Sequence, residues 1–222
     1  MSVDPISIPI REGEAVSGLW LAPKEPRACL VLAHGAGAGM SHHSMIAIAE
    51  GLSRLGVATL RYQFPYMEAG RKRVDAPAVA HLTVRAAVEA ARDRAAVLPL
   101  FAGGKSFGGR MTSQAQARSP LDGVRGLVFF GFPLHPAGKP SVERAAHLSE
   151  ISVPMLFVQG SRDALAEAAL LQGVVAALGV RARLQAIAEA DHSFHVPAKS
   201  GRKDAEVLDE ALAAAAAWMA AH

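Results

Sequence analysis

Apolar runs rich in β-branched or aromatic residues recur along the chain at 5–10, 17–21, 28–33, 57–62, 99–103, 126–131, 153–159 and 180–187. From the third run onward, helix-compatible stretches separate them, over roughly 41–56, 78–97, 107–118, 141–149, 164–178 and 202–221. Strands alternating with helices predict βαβ units, and therefore a mostly parallel sheet with helices on both faces. The two leading runs are joined by a short glycine-containing turn and predict an antiparallel edge. The pattern as a whole reads as an α/β fold with about eight strands.

Composition narrows this picture without changing it. With 222 residues and 51% hydrophobic content, the chain can bury a substantial core, and residues 1–222 read as one domain. It carries no internal repeat, low-complexity linker or composition break. Lys plus Arg exceeds Asp plus Glu only by 23 to 20, with no long run of like charge, so no nucleic-acid partner is expected. The single cysteine, Cys29, lies in the apolar run ACLVLA and reads as a small buried hydrophobe. The amino terminus lacks a basic region followed by an apolar stretch, and a cytoplasmic, reducing location is expected. The closing ALAAAAAWMAAH falls short of the ~20 apolar residues of a membrane span and reads as a terminal helix packed on the sheet. No membrane association is expected, and the chain is expected to be a monomer or homodimer.

In an open α/β sheet, ligands bind beyond the carboxyl ends of the strands, so the loops leaving those ends should carry the chemistry. The most informative one is FAGGKSFGG, residues 101–109. Its Gly104-Lys105-Ser106 ends like a phosphate-binding loop, but the first glycine of that motif would have to stand at position 99, which is Pro99. Proline has no amide to give a phosphate and cannot take the glycine conformation. The competing reading is a strained strand-to-helix turn that exposes Ser106 as a nucleophile, with Gly104, Gly108 and Gly109 small enough to let strand and helix approach.

A serine alcohol needs a base to take its proton and a carboxylate to orient that base. With such elbows the order along the chain is serine, acid, histidine. Asp163 follows the run MLFVQG, and His192 follows the next strand in EADHSFHVP. Asp191 adjoins the candidate histidine and lacks the strand-end placement, whereas His195, three residues on, competes with His192 as base. An oxyanion hole needs two backbone N–H donors. The Phe107 amide, directly after the nucleophile, is one candidate, and the Ala36 amide in HGAGAG is the other. As half of a dinucleotide fingerprint, HGAGAG would need a small residue at position 40, where Met40 stands, and an acid at the end of the next strand, where LRYQF has none.

The segments HGAGAG, GGKSFGG, GSRDA and ADHSF, in this order, resemble the α/β-hydrolase superfamily over nearly the whole chain. More narrowly, the chain resembles the dienelactone-hydrolase-related branch. FPYMEAGRKRVDAP and GFPLHPAGKP are similar to a small bacterial subgroup described only as hydrolases, with a eukaryotic relative that serves in a chromatin-modifying complex. The resemblance implies an α/β-hydrolase fold and the triad Ser106, Asp163 and His192. Dienelactone hydrolases proper use a cysteine nucleophile where this chain has Ser106, so lactone specificity does not carry over.

The segment after the run at 126–131 has room for one ordinary helix and no lid domain. The expected activity is hydrolysis of a small-molecule ester or thioester through an acyl-enzyme, with no metal or organic cofactor. Adjacent His42 and His43 lack the further ligands a metal would need. Two alternatives are an amidase or peptidase on the same fold and a non-catalytic interaction scaffold. Tyr66, Arg71 and Arg73 lie in the loop after the run at 57–62 and His135 in the loop after 126–131; together they read either as ordinary loop residues or as contacts to a substrate carboxylate. Lys105, inside the elbow, either faces the cleft or pairs at the surface.

Overall fold

The structure, a computed structural model, describes residues 3–95 and 97–222. Among them, β1 (Val3–Arg11), β2 (Glu14–Leu21), β3 (Ala28–Ala33), β4 (Val57–Tyr62), β5 (Leu100–Lys105), β6 (Val124–Phe130), β7 (Met155–Gly160) and β8 (Ala182–Ile187) form one sheet in the order β1-β2-β4-β3-β5-β6-β7-β8. The expected hairpin is there: β1 and β2 pair antiparallel and β2 joins β4 antiparallel, while every other neighbouring pair is parallel.

The helices are α1 (His43–Arg54), α2 (Pro65–Glu68), α3 (Pro77–Ala95), α4 (Phe107–Arg118), α5 (Ala168–Leu178) and α6 (Asp204–Ala220). Strand alternation sends successive side chains to opposite faces. Cys29, Val31 and Ala33 of β3 join a core with Val84 and Ala87 of α3, Met111 of α4 and Leu171 of α5. Ala28, Leu30 and Leu32 join a second core with Ile48 and Leu52 of α1 and with Val207, Ala211 and Leu212 of α6. Because β3 to β7 are covered on both sides, they read as near-continuous apolar runs, as parallel strands should.

Several boundaries differ from the sequence reading for identifiable reasons. β5 continues past position 103 to Lys105, because Gly104 and Lys105 still pair in register with Phe129 and Phe130. The helix expected over 164–178 begins at Ala168, since the preceding residues form the turn around Asp163. A 3₁₀ segment, Glu143–Glu150, replaces the α-helix expected at 141–149. Its buried residues, Ala145 and Leu148, are three apart, the spacing that stacks side chains on one face of a 3₁₀ helix. Short α2 lies inside the loop after β4 and had no apolar period to announce it. Residue 96, within the helix expected over 78–97, lies outside the described residues.

Between β6 and β7 the 3₁₀ segment is the only helix, and among the described residues no lid domain is inserted there over the carboxyl ends of the strands. Among the described residues no helix is long and apolar enough to cross a membrane.

Tight strand packing at the sheet centre can be tested with two glycines. A Cβ at Gly103 would stand 1.8 Å from the Val128 carbonyl oxygen, whereas one at Gly173 in α5 meets nothing within 4 Å. Gly103→Ala is expected to lower the unfolding free energy by about 2–3 kcal/mol. Gly173→Ala is expected to raise it by about 0.5–1 kcal/mol, both read from urea denaturation.

Candidate active site

β5 passes directly into α4 through Ser106, whose backbone has φ 52° and ψ −118°. Positive φ is uncommon for a residue with a Cβ and is held only where the surroundings over-determine it. Here the Ser106 N–H still donates to the Phe130 carbonyl at 3.1 Å, extending the β5–β6 ladder, while its carbonyl accepts the Arg110 N–H of the first helical turn at 3.1 Å. The chain must therefore change from strand to helix within one residue. That reversal brings backbones into contact: a Cβ at Gly104 would lie 2.4 Å from the Ala33 carbonyl oxygen, and one at Gly108 2.5 Å from the His34 carbonyl oxygen.

Three of the predicted site residues meet at this turn. His192 Nε2 lies 2.9 Å from Ser106 Oγ, and His192 Nδ1 lies 2.7 Å from Asp163 Oδ2. With Nδ1–H donated to the carboxylate, Nε2 is left to accept the serine proton. The Asp163 side chain is fully buried, and its oxygens also accept from the Leu165 N–H at 2.8 Å and from Gln159 Nε2. Gln159 in turn accepts the Phe132 N–H at 2.8 Å and so ties the acid to the end of β6. The competitors are occupied elsewhere. Asp191 accepts the Ser193 and His195 N–H groups at 2.7 and 3.0 Å and shapes the loop around His192. Exposed His195 pairs with Asp204 at 2.8 Å, and that hydrogen bond raises its pKa.

The loop after β3 packs against the elbow: a Cβ at Gly35 would lie 3.8 Å from Ser106 Cβ. Ala36 follows at the surface, and Phe107 contributes one of the first-turn N–H groups that a helix leaves without an internal acceptor. Three buried side chains fix this loop. His34 Nδ1 lies 2.8 Å from the Gly35 carbonyl, while its Nε2 accepts the Phe64 N–H at 3.2 Å. Burial pushes the His34 pKa down to about 4, with the Gly35 carbonyl opposing, so the ring is a neutral strut. Tyr66 accepts the Gly37 N–H at 3.0 Å on its phenol oxygen, and Arg61 donates to the Met40 carbonyl at 3.0 Å.

The residues expected to contact substrate are distributed differently. Tyr66 is fully buried and serves the loop after β3. His135 is buried too, with Nδ1 at 2.9 Å from the Pro136 carbonyl and Nε2 accepting the Glu167 N–H at 3.0 Å, so both ring nitrogens brace the chain. Arg71 pairs with Asp75 at 3.0 Å, and Arg73 is exposed. Lys105 is buried on the α1/α6 face and donates to the His192 carbonyl. His34 and Gln159 were not singled out from the sequence. Gln159 had a signal, a lone polar residue ending the apolar run MLFVQG just before Asp163.

Comparison with known proteins agrees with this fold. A family model described as an alpha/beta hydrolase domain matches residues 26–220. A lidless α/β serine hydrolase from Xanthomonas campestris superposes with a TM-score of 0.75 at 18% identity, over 97% of this chain and 94% of that one. A dienelactone hydrolase from Anabaena variabilis gives 0.74 at 20% identity, covering 99% and 95%. The esterase domain of a Rhodothermus marinus protein gives 0.73 at 16% identity, covering 100% and 99%. At these identities the likeness is one of fold.

The bracing of the loop after β3 can be measured without any substrate. Tyr66→Phe keeps the ring and removes the acceptor of the Gly37 N–H. Losing one such bond, worth about 1 kcal/mol, should speed amide exchange at residues 36–39 roughly 5- to 10-fold. Hydrogen-exchange mass spectrometry checks this, with exchange in β3 and β5 expected to stay as in the wild type.

Proposed function

The chain belongs to the alpha/beta hydrolase domain family, and on that premise we propose that it is a serine hydrolase cleaving a small ester or thioester through an acyl-enzyme. The observation that carries this reading is the hydrogen-bonded line from Ser106 Oγ through His192 to buried Asp163, 2.9 and 2.7 Å long. His192 takes the serine proton as Oγ attacks the carbonyl carbon, and Asp163 stabilises the imidazolium that forms. Phe107 and Ala36 offer their N–H groups to the developing oxyanion, aided by the positive end of α4. His192 then returns its proton to the leaving alcohol or thiol, and water repeats the sequence on the acyl-enzyme to release the acid.

Cys29 is no competing nucleophile. It is fully buried in β3, and burial pushes its thiol up to about 12, so at neutral pH it is a protonated hydrophobe. A lone buried thiol also accords with a cytoplasmic setting. Without a lid, the site favours short or accessible acyl groups over long chains enclosed in a tunnel. Since His135 and Tyr66 are engaged internally and Arg71 is held by Asp75, neutral acyl groups fit better than acid-bearing ones. A pure interaction scaffold would have no use for a strained serine aligned with a histidine and a carboxylate.

Nitrophenyl esters test the reading. Acetate and butyrate are expected to turn over, with no rise in rate on emulsified long-chain esters. Ser106→Ala and His192→Ala should each lower kcat by about 10⁴-fold, and Asp163→Asn by a similar factor. Arg71→Ala and Arg73→Ala should leave the ratio of neutral to acid-bearing ester turnover unchanged. Activity that survives Ser106→Ala would remove Ser106 as the nucleophile, whereas a wild-type protein that turns over no short nitrophenyl ester and takes no fluorophosphonate label at Ser106 would favour the scaffold reading.

A further inference from the structure

We propose that Lys105 is a positioning residue for the general base: its ammonium group, buried behind the elbow, grips the His192 carbonyl and holds the loop that aims the imidazole at Ser106. The proposal rests on the serine-hydrolase reading above.

Strand alternation in β5 puts the Lys105 side chain on the same face as Phe101, towards α1 and α6. There it is only 8% exposed. Nζ donates to the His192 carbonyl and lies 5.5 Å from the centroid of the Phe194 ring. Among the described residues no carboxylate comes within ion-pair distance of this nitrogen. A buried lysine held by a carbonyl and a ring is costly, and methionine would fill the same space without that cost. The structure also keeps the room it needs. A Cβ at Gly131, at the end of β6, would stand 3.0 Å from Nζ, 3.2 Å from the His192 carbonyl oxygen and 3.3 Å from His192 Cε1.

His192 needs such a hold because its loop is irregular. Glu189 and Phe194, on either side of it, both have left-handed backbone, with φ of 61° and 65°. Asp191 fixes the loop from its outer side through the Ser193 and His195 N–H groups. Lys105 is the pin from the inner side, and it comes from the residue next to the nucleophile. Serine and base are thereby held to one strand end.

The grip responds to pH. Burial lowers the Lys105 pKa from the ordinary 10.5 to about 8, against the raising fields of Asp163 and Asp191. The other groups facing it are the His192 imidazole, His43 of α1, and Asp204 of α6, itself paired to His195. The folded-state pKa lies below the unfolded one, so the buried charge destabilises the fold below about pH 8, and that penalty is relieved as pH rises from 8 to 10.5. Activity moves the other way, because a neutral amine makes the weaker hydrogen bond.

The test uses the full chain as wild type, Lys105→Met and Lys105→Arg. Four quantities are read from about pH 6 to 10: the rate of fluorophosphonate labelling at Ser106, kcat and KM on nitrophenyl acetate, and the thermal midpoint. Lys105→Met is expected to label and turn over about 10- to 100-fold more slowly, with KM changed less than about threefold and a midpoint no lower than wild type. Lys105→Arg is expected to recover most of the rate and to lose the fall in kcat above about pH 8. Wild-type rates in Lys105→Met would overturn the proposal. So would a parallel loss of rate and midpoint in both variants, which would mark Lys105 as structural only. A wild-type protein that does not label at Ser106 would instead remove the serine-hydrolase reading itself.

Discussion

One residue, Ser106, is held in a backbone conformation that residues with a Cβ seldom adopt, and the rest of the structure is arranged to keep it there. Such a conformation costs of order 1–3 kcal/mol and persists only when its neighbours allow no relaxation. The neighbours are β5, hydrogen-bonded on both sides by β3 and β6, and α4, which starts one residue later. Gly104 and Gly108 permit the close approach of β3 and its loop, which brings Ala36 and Phe107 to the same rim of the sheet. Strain at the turn and the proposed oxyanion site are thus two aspects of one packing arrangement.

Buried polar groups extend that arrangement outward. Gln159 joins the end of β6 to Asp163, His34 and Tyr66 hold the loop after β3, and Lys105 reaches the loop of His192. Each satisfies a backbone group that a loop would otherwise leave unpaired, and each restricts a segment bearing a site residue. Lys105 is the costly member, since its charge is buried and among the described residues no carboxylate pairs with it. A group that opposes folding below pH 8 and still occupies the centre of the sheet is better explained by the site than by stability.

The strand runs, the hairpin edge and the serine, acid, histidine order were legible in the sequence because they depend on local pattern and chain order. The face of Lys105 was not legible, because it follows from strand alternation only once β5 is known to reach position 105. What was hidden depends on contacts between distant segments. Tyr66 and His135 looked like cleft residues because they follow strand ends, but nothing local announces that one accepts the Gly37 N–H and the other the Glu167 N–H. The 3₁₀ segment at Glu143–Glu150 was hidden for a different reason: its apolar spacing of three suits either helix type over so short a stretch.

In the proposed mechanism Ser106 carries the acyl group between two half-reactions. Turnover of nitrophenyl acetate, stopped with acid in the steady state, gives protein whose peptides can be mapped by mass spectrometry. The expected product carries an acetyl group on Ser106, absent from Ser106→Ala. Continued turnover with Ser106 unmodified, or an acetyl group that maps to another side chain, would contradict it.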